Sequence, residues 1–571
     1  MGLDRRSFLS LIGAGAATGC ATAPAAGGDR KVAFLHGVAS GDPDTRSAVF
    51  WTRVTPQDDD RADVDVTLDV AADAGFERIV RTTTGLRARA ERDFTVKHDL
   101  DGQGLEPGRD YFYRFVAAGV TSPVGRVRTL PEGATTDVVL AVASCALHPG
   151  GLFNAYEAIG ALDRVDAVVH LGDYIYEYGA EADAYGMVTG ARLNRLPEPA
   201  HEIVSLDDYR RRHAQYKTDP DLQAAHARAA FICVWDDHEV ANDTWSGGAE
   251  NHQPESEGDF TARKAAALRA YFEWMPIREA APGGLREAIA RSFHFGDLAS
   301  LIMVETRLMG RTPQMSYEAD LPFSAGPDGR PVPDVEAFMA KRNAPERDLL
   351  DDGQRAWLGR ELVASRTAGQ PWQVLGNQVV TARVALPDAS AILPPAQVQG
   401  FLNGLAPAVR RQVEMSLLLA KAGLPFNLDA WDGYPAGRAR LYDTFRQAGV
   451  QPVMLAGDSH AFWVNDLKDD AGERRAVEFG TSAISSPSPG DMLAPFPLGM
   501  ALIQTNDEVV FCDQSAKGFV LLTLTPDRLV AELHAVSTIF AKPFQTRVLK
   551  RYAVARSGQA QGQALGPLVE V

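Results

Sequence analysis

Residues 167–176 read AVVHLGDYIY, an apolar run that ends in a carboxylate and a phenol. Two further runs have the same form: residues 231–238 read FICVWDDH, and residues 453–460 read VMLAGDSH. Short, fully apolar runs are typical of strands whose two faces are both covered by other elements. Because ligands bind at the carboxyl ends of strands in α/β sheets, these runs predict one cleft lined by carboxylates, imidazoles and a phenol. That inventory suits hard metal ions and hydrolysis.

Two regions with different patterns flank a short linker. From about residue 31 to 130, period-two alternation such as YFYRFV at 111–116 predicts antiparallel strands and a small β-sandwich. The residues LPEGATT at 130–136 are typical of a linker. Beyond it, longer apolar runs alternate with helical stretches, which predicts a layered α/β or α+β core over 137–571. Two long excursions, at about 312–345 and 386–435, are expected to form walls or lids, the second with a helix near 409–422.

The N-terminus predicts export. Residues 4–10 read DRRSFLS and lead into a weakly apolar run at 9–17, so residues 1–30 are expected to be a twin-arginine signal peptide. The twin-arginine translocase would be a partner, and the protein would be periplasmic or secreted. The residues ATGC at 17–20 would allow a lipid anchor at Cys20, whereas ATA at 21–23 would allow ordinary cleavage. Both outcomes remain open.

Composition limits the classes of partner. The chain has 571 residues, with 57 basic and 74 acidic side chains and a formal net charge of −17. Without a basic tract, attraction to nucleic acid or to an anionic membrane surface is not expected, and an anionic substrate would need local metal charge. No apolar run beyond the signal is long enough to span a bilayer. Four cysteines are too few for a disulfide framework.

The first ligand cluster combines oxygen, sulfur and nitrogen donors. Asp173 and Tyr176 lie three residues apart after a predicted strand, and Cys145 ends the preceding one. A phenolate prefers ferric iron to magnesium or calcium, and hard ions such as calcium do not select a thiolate. Taken singly, each residue has an ordinary structural role as a packed tyrosine, a buried cysteine or a helix cap. Together at strand ends they predict an iron site beside oxygen-bound ions.

The second and third clusters add carboxylates and histidines. Asp237 and His238 follow a predicted strand and precede Asn242; they predict a metal site, although acidic residues capping a helix are the alternative. His238 is a candidate for protonating the leaving group instead of binding metal. Asp458 and His460, two apart on an extended segment, would point to the same side.

Two arginines and one serine are weaker candidates. Arg307 and Arg311 are each either phosphate clamps or ordinary packing residues. Ser459 lacks the surrounding residues of a nucleophile elbow.

These residues resemble the PhoD-like family of alkaline phosphatases and phosphodiesterases, within the calcineurin-like metallophosphoesterase superfamily. The resemblance runs from the export signal almost to the C-terminus. Its motifs are GDP at 41–43, VFWTR at 49–53, ASC at 143–145, HLGDYIYEY at 170–178, WDDHEV at 235–240, GNQ at 376–378, WDGYP at 431–435 and GDSH at 457–460.

The resemblance implies a fold and a ligand set. The fold would be a metallophosphoesterase core, a β-sandwich of mixed strands flanked by helices, preceded by an all-β immunoglobulin- or fibronectin-like domain. The cofactors would be Fe³⁺ and Ca²⁺. The residues carried over are Cys145, Asp173, Tyr176 and His460 on the iron side, Asp173, Asn242, Asp432 and Asp458 on the calcium side, and Asp237, His238 and Arg307 as catalytic residues.

Three departures from the family pattern qualify the transfer. Asp237 and His238 stand where the superfamily has an Asn-His pair. Glu305 stands where an aspartate is expected before Thr306 and Arg307, which could alter an outer contact of the site. The segment from about 537 to 559 matches poorly, and in this family a C-terminal element can restrict the site.

The expected activity is hydrolysis of small-molecule phosphomonoesters or phosphodiesters, by attack of a metal-bound hydroxide on phosphorus. Three alternatives remain. A phospholipase D-like diesterase shares the scaffold. A secreted metal-carrying binding protein would use the sandwich for adhesion. An exported redox protein is disfavoured because the chain has no Cys-x-x-Cys or dinucleotide motif.

Overall fold

The computed structural model describes residues 30–100, 102, 104–181, 185–325, 331–388, 394–405, 407–557 and 564–571. The expected signal peptide, with Cys20, lies almost wholly outside these residues, so the expectations about export and lipid anchoring stay predictions. Within the described ranges, no helix combines the length and the hydropathy needed to cross a membrane.

The N-terminal region is built from strands. The alternation of YFYRFV places Tyr111, Tyr113 and Phe115 inward and the residues between them outward, as period two requires. A sheet with the order β10-β8-β5-β6, extended by β9, packs through this face on β2, β3 and β7. The strands are β1 (Val32–Ala33), β2 (Val38–Gly41), β3 (Val49–Arg53), β4 (Thr55–Pro56), β5 (Val64–Ala71), β6 (Ile79–Ala88), β7 (Thr95–Asp99), β8 (Asp110–Ala117), β9 (Val120–Thr121) and β10 (Gly125–Arg128).

The core contains two large sheets. The first has the order β26-β25-β24-β23-β11-β12-β13-β2-β3-β7, and the second has the order β14-β15-β18-β19-β21-β20-β22. The core strands are β11 (Val138–Ala143), β12 (Ala167–His170), β13 (Ala230–Cys233), β14 (Arg291–Phe295), β15 (Ala299–Met303), β16 (Phe323–Ala325), β17 (Pro331–Pro333), β18 (Trp372–Gly376), β19 (Val453–Ala456), β20 (Phe462–Lys468), β21 (Arg474–Gly480), β22 (Val509–Asp513), β23 (Lys517–Leu524), β24 (Arg528–Val536), β25 (Thr546–Ser557) and β26 (Ala564–Glu570). Strands β11, β12 and β13 run parallel in the first sheet, as do β15, β18, β19 and β21 in the second.

The N-terminal region shares a sheet with the core. Strand β2 pairs in parallel with β13 through Gly41 and Phe231. The carboxylate of Asp42 then accepts a hydrogen bond from Arg291 Nη2 at 2.7 Å, and the same nitrogen donates to the Cys233 carbonyl at 2.7 Å. Backbone pairing and this half-buried arginine therefore join the two regions beside the strand that leads to residues 236–238.

The two core sheets enclose one apolar layer. Alternate residues of β15 divide between faces: Leu301 and Met303 join the cluster shared with the first sheet, whereas Ile302 joins the cluster under the outer helices. This alternation explains why the strands are apolar on both faces.

The helices cover the outer faces and form the two excursions. They are α1 (Asn154–Gly160), α2 (Met187–Leu193), α3 (Leu206–Lys217), α4 (Pro220–Arg228), α5 (Pro254–Glu257), α6 (Phe260–Trp274), α7 (Tyr317–Asp320), α8 (Val335–Arg342), α9 (Asp352–Thr367), α10 (Pro395–Gly404), α11 (Pro407–Lys421), α12 (Pro435–Ala448), α13 (Pro489–Met492) and α14 (Leu498–Thr505). Short 3₁₀ turns lie at Ala90–Arg92, His148–Gly150 and Trp431–Gly433. Helix α11 is the helix that the sequence predicted near 409–422.

The C-terminal segment that resembles the family least extends the first core sheet. Strands β25 and β26 continue it beyond β24. The connection before β25 is tied to α1, because Asn154 Nδ2 donates to the carbonyls of Thr538 at 2.7 Å and Ala541 at 3.1 Å.

The junction of β2 and β13 yields a stability prediction. A Cβ at Gly41 would lie 2.1 Å from the Pro276 carbonyl oxygen and 2.6 Å from that of Phe231, both backbone atoms. We expect Gly41→Ala to lower the free energy of unfolding by about 1–3 kcal/mol, as overpacking does, measured by urea unfolding. Gly400→Ala is the matched control, because a Cβ there meets nothing within 4 Å and the position is helical. Equal stability of the two variants would contradict the close approach.

Candidate metal centre

The carboxyl ends of the parallel strands meet at one edge. Cys145 follows β11, Asp173 follows β12, and Asp458 with His460 follows β19. All four residues have left-handed backbone, with φ of 61°, 54°, 60° and 58° in that order. Such conformations are unfavourable for residues other than glycine, asparagine and aspartate, and they persist where the surroundings enforce them, often at functional sites.

Glu239 holds two ligand loops together. Its carboxylate accepts hydrogen bonds from the backbone N–H groups of Asp173 at 3.1 Å, Tyr174 at 2.6 Å and Asp236 at 2.8 Å. Gly172 allows the close approach, because its φ is 105° and a Cβ there would lie 2.3 Å from the Asp236 nitrogen. Burial raises the pKa of Glu239 to about 8, against the opposing effect of these hydrogen bonds.

The iron-side residues predicted from the sequence come together. Donor atoms of Cys145, Asp173 and His460 lie within 4.8 Å of one another. The Tyr176 hydroxyl donates to Asp173 Oδ2 at 2.9 Å and lies 3.2 Å from His460 Nε2. His460 Nδ1 donates to the Pro487 carbonyl at 2.7 Å. That bond fixes the tautomer and leaves the Nε2 lone pair facing the group, as a metal ligand requires.

Two further groups share the carboxylates between the sheets. Asp173, Asp237 and His238 form one, and Asp236, Asp237 and Asp458 form the other. Three of their buried oxygens, Asp173 Oδ1, Asp236 Oδ2 and Asp237 Oδ1, accept no hydrogen bond from the described residues. Buried carboxylate oxygens are normally satisfied by donors or by cations. The donor set therefore fits more than one cation.

The pKa shifts of these groups reflect buried negative charge that is only partly offset. Burial would raise the pKa of Asp237, but Arg307 and then His238 lower it below its usual value. Burial raises the pKa of Asp173 well above its usual value, although His238 opposes the shift. Burial, and then the carboxylates of Asp429 and Asp236, raise the pKa of Asp458 in the same way. Burial followed by the charge of Asp173 raises the pKa of both Cys145 and Tyr176. Bound cations would favour the ionised form of each group.

Arg307 is surrounded by acids. It is fully buried, and its Nη1 and Nη2 donate to Asp429 at 2.7 and 2.9 Å. Nη2 also donates to Asp458 at 3.3 Å, and Nε donates to Asp236. The guanidinium is thus buried and engaged by carboxylates, which favours the packing role over the phosphate clamp, the two roles that the sequence left open. Arg311 likewise donates to Asp429, to its side chain and to its carbonyl.

Glu305, the departure noted before Arg307, shapes the loop after β15. Its carboxylate accepts hydrogen bonds from the backbone N–H groups of Arg307 at 2.8 Å and Leu308 at 2.6 Å, and from Trp235 Nε1 at 3.0 Å. The Glu305 carboxylate therefore fixes the backbone of the loop that carries Arg307.

His238 is oriented by Glu177. His238 Nδ1 donates to Glu177 Oε2 at 2.7 Å, while Glu177 Oε1 accepts from the Asn242 backbone at 2.8 Å and from Asn251 Nδ2 at 2.7 Å. Burial alone would lower the pKa of His238, but Asp237, Glu177 and Asp173 raise it well above its usual value. The sequence analysis missed Glu177, although it lies next to Tyr176.

Asn242 and Tyr178 lie at the open rim. The Tyr178 hydroxyl donates to Asn242 Oδ1 at 3.1 Å, and both side chains are half-buried. The Asp458 and His460 side chains also retain partial exposure, 17% and 14%.

Asp432 does not join the other predicted ligands. Its Oδ1 accepts from Arg342 at 3.0 Å and Arg438 at 3.1 Å, and its Oδ2 accepts from the Val384 backbone at 3.0 Å. It belongs to none of the three groups within the described residues. Asp429, three residues earlier, lies beside Arg307 instead. Asp236, which the sequence placed in the same run of potential ligands as Asp237, lies in one of these groups.

Comparison with known proteins identifies the family. Residues 140–533 match the PhoD-like phosphatase model, and residues 19–131 match the N-terminal domain of PhoD-like phosphatases. The chain belongs to the PhoD-like phosphatase family. It is therefore a phosphoric ester hydrolase by class, and the resemblance inferred from the motifs is confirmed.

Two PhoD relatives cover most of the chain. Alkaline phosphatase D of Bacillus subtilis (strain 168) is 34% identical over 553 residues, which is 93% of this chain and 84% of the relative. A solved structure of PhoD superposes with a TM-score of 0.74 at 28% identity, covering 96% of this chain and 93% of the other. The mixed sheets and helices of the fold are thus those of PhoD.

The buried acids predict how stability depends on pH. Burial raises the pKa of Asp236 to about 6 and, together with Asp429, raises that of Asp243 to about 8. An unfolded aspartate titrates near about 4. Between about pH 4 and pH 8 these two carboxyl groups hold more protons in the folded state than in the unfolded state, so their contribution to stability falls as pH rises.

We therefore expect added calcium to raise the melting temperature more at about pH 8 than at about pH 5, because it binds ionised carboxylates. Thermal unfolding with and without calcium measures this, with sodium chloride at matched ionic strength as the control. A calcium effect of equal size at both pH values would contradict the assignment.

Proposed function

We propose that this protein is an exported, metal-dependent alkaline phosphatase that hydrolyses small phosphoric esters at the centre described above. The observation that carries the proposal is the set of three buried carboxylate oxygens, on Asp173, Asp236 and Asp237, that accept no hydrogen bond from the part of the chain that the structure describes. They lie beside a thiol, a phenol and an imidazole at the carboxyl ends of the parallel strands. Family membership supplies the reaction class.

The donor chemistry supports a division between two kinds of ion. A thiol, a phenol, a carboxylate and an imidazole suit Fe³⁺, which assigns Cys145, Asp173, Tyr176 and His460 to iron. Oxygen donors suit Ca²⁺. We assign Asp173, Asn242 and Asp458 to calcium, as expected from the sequence, and add Asp236 and Asp237. Asp429 replaces Asp432 as the acid of the WDGYP region that belongs to the centre, where it holds Arg307.

When bound, such ions would activate water and neutralise charge on the phosphoryl oxygens. Arg307 keeps Asp236, Asp429 and Asp458 at fixed positions, so its role is to position the ligands. His238 can hold a proton for the leaving group. Glu177 fixes its Nδ1, which leaves Nε2 toward the carboxylate cluster.

The proposed substrates are small phosphomonoesters or phosphodiesters. The entrance is formed by the half-buried side chains of Asn242, Tyr178, Asp458 and His460. We propose that residues 31–130 form an immunoglobulin- or fibronectin-like sandwich and that 137–571 form the phosphatase domain, a division supported by the two family matches. Export through the twin-arginine route to the periplasm or the medium rests on the residues DRRSFLS.

Removing the ligand shared by both ions tests the proposal. We expect Asp173→Asn to lose metal and to lower kcat on p-nitrophenyl phosphate by more than about 100-fold, since even outer contacts of metal sites cost up to about that factor. Elemental analysis and kinetics measure both effects. Asp137→Asn is the control, because Asp137 pairs with Arg164 at a surface outside the centre. A fully active Asp173→Asn protein would refute the proposal.

The same assay separates the remaining candidate activities. Preference for the bis-ester over p-nitrophenyl phosphate would make the protein a diesterase, and cleavage of a phospholipid headgroup would make it phospholipase D-like. Hydrolysis of none of them by metal-loaded protein would indicate a metal-carrying binding protein.

His238 gives a prediction about leaving groups. If it donates the proton, His238→Gln should lower kcat on phenyl phosphate by about 100- to 10,000-fold, and by much less on p-nitrophenyl phosphate, whose leaving group needs no proton. Rates on the two esters are compared for wild type and variant. An equal loss on both would show that His238 acts on metal binding or on the fold and not as an acid.

A further inference from the structure

Lys217, at the end of α3, is a buried ammonium without an acidic partner. Its exposure is 1%, and within the described chain no carboxylate pairs with it. Its Nζ donates to the Tyr174 hydroxyl at 2.9 Å and lies 3.2 Å from His226 Nε2. Burying an unpaired charge is unfavourable, and burial lowers the pKa of Lys217 to about 7. A residue that weakens the fold in this way calls for a functional reason.

The contact of Lys217 is with the loop that carries the shared metal ligand. Tyr174 lies between Asp173 and Tyr176, and its side chain is 1% exposed. On one side of the loop the Glu239 carboxylate accepts hydrogen bonds from the backbone N–H groups of Asp173 and Tyr174. On the other side the Tyr174 hydroxyl is held by Lys217 and lies 2.8 Å from His226 Nε2. Hydrogen bonds from the backbone to Glu239 and from Lys217 to the Tyr174 hydroxyl therefore hold the segment in which Asp173 has its left-handed backbone.

The aromatic ring that packs against the Lys217 amino group belongs to the N-terminal region. Its Nζ lies 4.6 Å from the ring centroid of Trp51 and 5.1 Å from that of Tyr174. Trp51 belongs to β3, and its Nε1 donates to the Glu273 carbonyl of α6 at 2.8 Å. Cation–π contacts with tryptophan are the strongest of their kind and strengthen when desolvated. The ammonium thus lies between an N-terminal tryptophan and the ligand loop.

We propose that Lys217 is a positioning residue that fixes the Asp173–Tyr176 loop through the Tyr174 hydroxyl. The Trp51 ring, packed against the Lys217 amino group, holds that group in place. The N-terminal region thereby takes part in building the metal centre. This inference rests on the proposed function, since the loop matters only if Asp173 and Tyr176 bind metal.

Lys217→Met removes the charge and the donors while keeping length and apolar volume. Loss of an outer contact of a metal site lowers affinity or activity by about 10- to 100-fold. We expect a decrease of that size in kcat and a matching rise in the calcium Kd, measured by titration calorimetry. We expect the melting temperature of the metal-free protein to stay the same or rise, because a buried charge is replaced by an apolar chain. If Lys217 only stabilised the fold, Lys217→Met would lower the melting temperature and leave kcat and the calcium Kd unchanged.

Lys97→Met is the matched control. Lys97 is also a lysine with little exposure, 7%, lying 5.4 Å from the Phe272 ring centroid, but its partner is Glu279 at 2.9 Å and it does not touch the ligand loop. We expect Lys97→Met to lower the melting temperature and to leave kcat and calcium affinity unchanged.

Tyr174→Phe tests the same link from the other side. It should reproduce the loss in kcat and calcium affinity, and the double variant with Lys217→Met should lose no more than either single variant, because both remove one interaction. Trp51→Phe should lower kcat by a smaller factor and add nothing in the Lys217→Met background.

The outcomes are separable. If wild type and Lys97→Met hydrolyse no phosphoester, the proposed function fails. If both are active and Lys217→Met matches them in kcat and calcium affinity, the positioning role is overturned. Should Lys217→Met not fold, Tyr174→Phe decides: reduced kcat and calcium affinity support the role, and wild-type values overturn it.

Discussion

The structure depends on the concentration of buried negative charge at the carboxyl ends of two parallel strand sets. Asp173, Asp236, Asp237 and Asp458 lie close together with one fully buried guanidinium, Arg307, among them. Burying carboxylates at this density is unfavourable unless cations or donors satisfy them. Three of their oxygens have no donor among the described residues. The site thus carries more buried negative charge than Arg307 offsets, which supports the proposal that it binds metal ions.

Much of the surrounding structure serves to hold this charge in place. Glu239 and Glu305 are not positioned to bind metal, since their oxygens accept backbone N–H groups of the ligand loops. Glu177 orients His238, and the Pro487 carbonyl orients His460. The N-terminal strands add Trp51 beneath Lys217. Acidic side chains therefore have two roles here, binding cations and fixing the loops that carry those ligands.

The sequence predicted the parts of the centre that follow directly from strands. Cys145, Asp173, Asp458 and His460 each stand within four residues of an apolar run, so pattern and position sufficed. Asp432 and Asp429 lie on an irregular segment around a 3₁₀ turn, where no periodicity states which carboxylate faces inward. Arg307 was left open between two roles, because the carboxylates around it, Asp236, Asp237, Asp429 and Asp458, come from distant parts of the chain. The role proposed for Lys217 could not be predicted from the sequence, because its contacts with Trp51 and Tyr174 exist only in the folded chain.

The most direct test of the central claim is anomalous X-ray diffraction from crystals of the natively exported protein, collected on both sides of the iron absorption edge. The account predicts an iron peak in contact with Cys145 Sγ, Asp173, the Tyr176 oxygen and His460 Nε2. A lighter cation should contact Asp173 on its other side, near Asp237 and Asp458. Crystals in which no cation touches Asp173, or in which Cys145 and Tyr176 remain outside the coordination of any ion, would contradict it.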